Sequence, residues 1–231
     1  MFLTLYPKRC AICDSILAKK ENALGCCDFC SDKLEVIREP VCFKCGKPLD
    51  SNEEEYCIDC LRVKKSFVSN RAVYEYGGDI KDSLMKFKYK NRQEYANFYA
   101  KVMTDKYADY FADVDALIPI PIHKSRLKER GYNQAELIAN ELSRYCGVKV
   151  YNDILVRNEK TLAQKSLNDL ERINNLKNAF QLGQNIVQLN KVMLVDDIYT
   201  TGATIEACTR LLHSAGYDNI CSITVAIGHG Y

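Results

Sequence analysis

The chain predicts an α/β protein, a mainly parallel sheet flanked by helices, with a small cysteine-rich unit at its N-terminal end. Three observations lead there. Nine of the twelve cysteines lie in the first sixty residues. From Phe67 onward, short apolar runs alternate with amphipathic stretches, the pattern of strands joined by crossover helices. One of those runs, residues 192–195, leads into Asp196 and Asp197 and then a hydroxyl-rich turn, Thr200-Thr201-Gly202-Ala203-Thr204.

The cysteines form four Cys-x-x-Cys pairs: Cys10/Cys13, Cys27/Cys30, Cys42/Cys45 and Cys57/Cys60. Two-residue spacing lets both thiolates reach one tetrahedral ion at about 2.3 Å. Thirteen residues separate the first two pairs and eleven the last two, intervals that suit the hairpins of zinc ribbons. The cysteine and leucine offsets from Cys10 to Leu17 recur from Cys42 to Leu49. Two tandem four-cysteine units, each holding one structural zinc, fit this duplication; a cross-braced pairing of first with third and second with fourth is the alternative. Cys26 reads as a spare thiol. Closed four-thiolate sites leave no open position for catalysis. A charged connector, residues 61–66, suggests a boundary between a zinc-ribbon domain at 1–66 and a second domain at 67–231.

In the second domain the pattern predicts strands at 71–76, 114–120, 148–150, 155–156, 179–182, 192–195 and 220–227. Helices are expected at 79–89, 93–111, 133–146 and 205–215. Ligands of such sheets bind beyond the strands' carboxyl ends. The turn at 200–204, opening a helix, offers backbone N–H groups to a phosphate monoester. Two carboxylates just before it can accept hydrogen bonds from sugar hydroxyls.

A second segment opens after Pro119 and Pro121 as a basic loop: His123, Lys124, Ser125, Arg126, Lys128 and Arg130. Its cations suit a pyrophosphate, although a solvated surface has the same composition. A third, polar segment carries Lys160, Gln164 and Lys165, with the composition of a mobile cover. In residues 86–90, lysines interleave with Phe87 and Tyr89. That pattern suits single-stranded nucleic acid, and equally an amphipathic helix with its aromatics in the core.

Formal charge is balanced, at +2 overall, so any nucleic-acid surface must be local. No apolar stretch is long enough to span a membrane. The N-terminus lacks a basic start and a cleavage site, so a cytoplasmic location is expected.

The segment from Val192 to Thr204 resembles the phosphoribosyl-pyrophosphate (PRPP) motif of type I phosphoribosyltransferases. The resemblance implies that Asp196 and Asp197 bind the ribose hydroxyls and that Thr200, Thr201, Gly202, Ala203 and Thr204 wrap the 5′-phosphate. Thr200 stands where purine-salvage members carry an acid, which argues against a purine acceptor. The whole chain resembles the ComF/GntX family, named for competence proteins involved in DNA uptake. That likeness rests on Pro7-Lys8-Arg9-Cys10-x-x-Cys13, the cysteine repeats, Lys86-Phe87-Lys88, residues 119–134, Thr161/Gln164/Arg172/Asn175/Phe180 and the PRPP motif.

It implies a double zinc ribbon joined to a type I phosphoribosyltransferase-like domain, and a pyrophosphate-binding loop at His123, Lys124, Ser125 and Arg126. It also implies an active-site loop at residues 158–170 and Mg²⁺ arriving with PRPP. Three functions follow as expectations. One is a competence-type factor binding PRPP and single-stranded DNA, alongside DNA-uptake or recombination machinery. The second is a pentosyl transferase with an unidentified acceptor, for which Lys160, Gln164 and Lys165 are the catalytic candidates. The third is an interaction protein that senses PRPP.

Overall fold

The computed structural model describes residues 7–18, 24–157, 179–184 and 187–228. Its centre is a five-stranded sheet, every neighbouring pair parallel. The strands are β1 (Asn70–Glu75), β2 (Ala116–Pro119), β3 (Lys149–Val150), β6 (Lys191–Tyr199) and β7 (Asn219–Ile227). Their spatial order is β1-β7-β6-β2-β3. Strands β4 (Leu155–Arg157) and β5 (Phe180–Leu182) form a separate antiparallel pair.

The central strands are almost continuously apolar because helices or ribbon cover both faces. One core gathers Met193, Val195, Ile223 and Val225 under Leu84, Phe87, Phe98, Tyr99 and Ile138. The other gathers Val192, Leu194, Ile118 and Ile220 under Ile205, Cys208 and Leu212.

The helices are α1 (Asp28–Ser31), α2 (Ile58–Arg62), α3 (Gly78–Tyr89), α4 (Tyr95–Lys106), α5 (Lys124–Arg130), α6 (Gln134–Cys146) and α7 (Ala203–Ser214). Three expectations change. The helix expected at 93–111 ends at Lys106, and a short 3-10 turn, Ala108–Phe111, follows. The strand expected at 192–195 runs on through Tyr199, so both acids lie within it. The basic segment expected as a loop is helix α5, N-capped by His123, whose ring accepts from the Ser125 amide at 3.1 Å. Helix α5 buries no residue, so it has no apolar stripe from which periodicity could find it.

Both apolar cores cross position 66. Cys10, Ala11 and Ile12 share a cluster with α3 and α4, and Cys42 and Cys45 share one with Phe67 and Tyr199. Among the described residues no helix is long and apolar enough to cross a membrane.

Candidate functional site

The topology itself locates the site. From β6 the chain passes through α7 to β7 on one side; from β2 it passes through α5 and α6 to β3 on the other. Strands β6 and β2 are neighbours, Val195 opposite Pro119. The crevice between them is the switch point at which open parallel sheets bind ligands. Asp196 and Asp197 lie near the end of β6, the turn at 200–204 follows it there, and His123 to Arg126 follow β2. The two segments singled out in the sequence are thus neighbours, and Ile120 donates its amide to Val195 O at 2.9 Å.

Consecutive residues of a strand face opposite sides, and the two acids have different surroundings. Asp197 is buried and meets Lys88 of α3, Nζ to Oδ2 2.5 Å. Asp196 accepts the Asp197 amide at 2.8 Å. Its charge in turn adds to the upward push on the Cys208 thiol and opposes the downward push on Arg157 of β4. Burial pushes Asp196 up to about 7, the adjacent Asp197 carboxylate adds to this, and Lys88 opposes it. Burial likewise pulls Arg157 down, with Arg126 adding to the effect. Arg157 stacks 4.5 Å from the Phe180 ring centroid. Lys88 and Arg157 were not singled out for this site by sequence. The signal available was a lysine in a helix otherwise anchored by Phe87, and that pattern suited nucleic acid equally.

Beyond Tyr199 the chain turns at Gly202, whose φ of +74° lies in the left-handed region. A Cβ there would come within 2.2 Å of the Tyr199 hydroxyl, so only glycine lets the turn close over that ring. No side chain of Gly202 can cap α7, and no side-chain cap bond is made. The positive end of a twelve-residue helix thus directly follows β6 and the acid pair, an arrangement suited to an anion. Thr200 and Thr201 are exposed. Thr201 Oγ1 accepts the Ala203 amide at 3.4 Å. Lys160, Gln164, Lys165 and the loop expected at 158–170 lie outside the described residues.

The cysteines gather as two sets: Cys10, Cys13, Cys27 and Cys30, and Cys42, Cys45, Cys57 and Cys60. Within each, the four sulfurs lie within 4.8 Å of one another. Four thiolates around one zinc at 2.3 Å stand about 3.8 Å apart, and Cys13–Cys27 at 3.9 Å and Cys45–Cys57 at 3.6 Å fit. The pairing is sequential, which excludes the cross-braced alternative. Cys26 lies outside the set, with its sulfur 3.8 Å from that of Cys10.

Each ribbon also buttresses one wall of the crevice. In the first, Ala11 O accepts from Ser83 Oγ and Ile12 O from Lys86 Nζ, both on α3. In the second, Lys65 Nζ donates to Thr201 O at 2.9 Å, and Glu206 of α7 accepts from Ser66 N and Oγ at 2.7 and 2.8 Å. A cleft of 190 Å³ separates the second ribbon from Tyr199, Thr200 and Thr201.

Residues 86–90 divide. Phe87 is fully buried, Lys86 and Lys88 have the partners just given, and Tyr89 and Lys90 are exposed. Arg130 reaches Tyr89, NH2 to OH 3.0 Å. Tyr89 therefore adjoins the exposed basic helix α5.

Residues 2–61 match the family model of the double zinc ribbon domain. Competence protein F of Haemophilus influenzae is 31% identical over 225 residues, covering 94% of this chain and 96% of that protein. Competence protein ComFC of Bacillus subtilis is 32% identical, covering 90% and 89%. The DNA utilization protein YhgH of Escherichia coli K12 is 27% identical, covering 89% and 91%. With ribbons, sheet and crevice in one order along the whole chain, this protein belongs to the ComF family.

Proposed function

We propose that this chain is a cytoplasmic DNA-uptake factor of the ComF type that binds PRPP in the β6–β2 crevice and single-stranded DNA on an adjoining basic surface. The observation that carries the PRPP reading is the acid pair on β6, followed by the Gly202 turn and the N-terminus of α7. Asp196 and Asp197 take the ribose hydroxyls, and Thr200, Thr201, Gly202, Ala203 and Thr204 take the 5′-phosphate. His123, Lys124, Ser125 and Arg126 approach the pyrophosphate, whose Mg²⁺ arrives with PRPP. Residues 67–231 are the phosphoribosyl unit in this reading, and the ribbons are its structural support.

For DNA, charge favours α5 over the second ribbon. Beyond the residues given to the pyrophosphate, helix α5 carries Lys128 and Arg130 beside exposed Tyr89, a combination of phosphate contacts and a stacking ring. The exposed aromatic pair of the second ribbon, Phe43 and Tyr56, adjoins Glu53, Glu54 and Glu55, which repel a polyanion. The competence and DNA-utilization names of the relatives supply the biological setting.

The test is calorimetric titration of PRPP with Mg²⁺, and filter binding of a labelled single strand across a salt series. Saturable PRPP binding and salt-sensitive strand binding support the reading. No PRPP binding, or strand binding indifferent to salt, contradicts the respective half. A second reading, transfer of ribose 5-phosphate to an acceptor, draws on the same acid pair and basic helix. In that case they would fix the ribose and stabilise departing pyrophosphate in an oxocarbenium-like transition state. Pyrophosphate release on adding candidate bases and amines separates turnover from binding.

A further inference from the structure

We propose that Lys88 is a positioning residue of this site, holding Asp197 for the hydroxyls of a ribose 5-phosphate group, and that the first zinc ribbon sets Lys88 through α3. The inference rests on the sugar–phosphate reading and adds a residue and a route of coupling to it.

The geometry has three parts. Lys88 and Asp197 are both largely buried, their side chains 16% and 11% exposed, and their charges are 2.5 Å apart. A buried ion pair at that distance fixes both partners, because losing either leaves an uncompensated charge. Secondly, α3 is gripped from its other side. Ser83 donates to Ala11 O and Lys86 to Ile12 O, the backbone between the zinc ligands Cys10 and Cys13. Ser83 lies one turn before both Lys86 and Phe87, so a shift of the knuckle shifts the turn that carries Lys88. Thirdly, Phe87 locks that turn against Tyr99 and Tyr132, with ring centroids 5.3 and 6.0 Å away.

The charged and titratable groups facing the pair come from every neighbouring element. Lys88 of α3, Tyr99 of α4 and Asp196 of β6 face Asp197; Arg157 of β4 and Cys208 of α7 face Asp196. Among the described residues Lys88 is the only cation in contact with either acid. Burial and the neighbouring Asp197 press Asp196 toward its protonated form, and Lys88 opposes this. Removing the lysine's charge puts two adjacent carboxyls in one buried crevice with no counter-ion on the α3 side. The site would then take up a proton more readily and read the sugar less well.

The experiment compares wild type, Lys88→Met and Lys88→Arg, each first checked for zinc content and circular dichroism. PRPP and ribose 5-phosphate are titrated calorimetrically from pH 6 to 8, and the aspartate side-chain carboxyl carbons are followed by NMR over the same range without ligand. The inference expects Lys88→Met to weaken both ligands by about tenfold or more, the scale of one charged hydrogen bond. It expects the Asp196 midpoint to move upward in that variant, and Lys88→Arg to restore both. Equal affinities and an unmoved midpoint in Lys88→Met overturn the inference while leaving the PRPP reading intact. Absence of PRPP binding by the wild type overturns the PRPP reading, and the inference falls with it. A merely structural lysine would lower stability without shifting the carboxyl titration, and that outcome also overturns it.

Discussion

The two ribbons are copies in sequence and differ in how they dock. Asp14 and Gly46 hold the same place in the repeat, four residues after Cys10 and Cys42, and both are left-handed, φ +68° and +77°. Asp14 uses its side chain: Arg92 donates to Oδ2 and Tyr95 to Oδ1, both at 2.8 Å. Gly46 uses the lack of one, since a Cβ there would sit 2.8 Å from Asn70 O. One knuckle is pinned by charge to the α3–α4 link and by a hydroxyl to α4, and the other lies flush against β1. The lesson is that a duplicated metal site guarantees the local fold twice, but the second-domain partner decides what each copy is for. The first sets α3 and Lys88; the second sets the Thr201 turn and α7.

The largest effects should come from breaking the metal sites. Cys45→Ser removes a ligand that is also core to the second cluster, whereas Cys13→Ser removes an exposed one. Zinc coordination supplies much of the folding energy of such units. Each variant should therefore lose one of two zinc ions by metal analysis, and Cys45→Ser should show the larger fall in Tm.

Gly202→Ala comes next. The left-handed backbone alone costs about 1–2 kcal/mol, and the Tyr199 ring must move as well. PRPP binding should be lost with zinc content unchanged, as read by calorimetry and metal analysis.

Acid sharpens the comparison because each docking uses one carboxylate. Burial works to raise Asp14, but bonds from Tyr95 and Arg92 outweigh it and hold it below the ordinary range. Burial also works to raise Glu206, and there Ser66 and Arg210 outweigh it. Depressed carboxyls contribute stability above their unfolded values, roughly 4, and lose it as pH falls through the folded ones. Below about pH 4, protection against hydrogen exchange, relative to the intrinsic rate at that pH, should therefore fall at both dockings. Asp14→Asn should spare the second docking and Glu206→Gln the first.

The smallest effect expected is from Phe43→Ser, which strips an exposed edge-on partner from Tyr56. It should change stability by less than about 1 kcal/mol and leave single-strand affinity intact if α5 is the DNA surface.

Much of this was legible because the decisive signals are local. Cysteine spacing marked both metal sites, and apolar runs marked β2, β6 and β7. The acid pair and turn marked the crevice. What escaped depends on contacts between distant segments. Helix α5 lies on the surface without an apolar stripe, and a histidine caps it where serine or aspartate is the usual sign. Lys88 belongs to the site only because α3 brings it against β6. The docking of Asp14 and Gly46 needs partners, Tyr95 and Asn70, that no repeat comparison reveals.

The ribose role of the acid pair is tested by titrating PRPP with Mg²⁺ into the wild type and into Asp197→Asn, each confirmed to hold two zinc ions. One saturable site is expected in the wild type, with affinity reduced by about a hundredfold in the variant and single-strand binding retained. Equal affinity in the two proteins would contradict the assignment of this acid pair to the ribose.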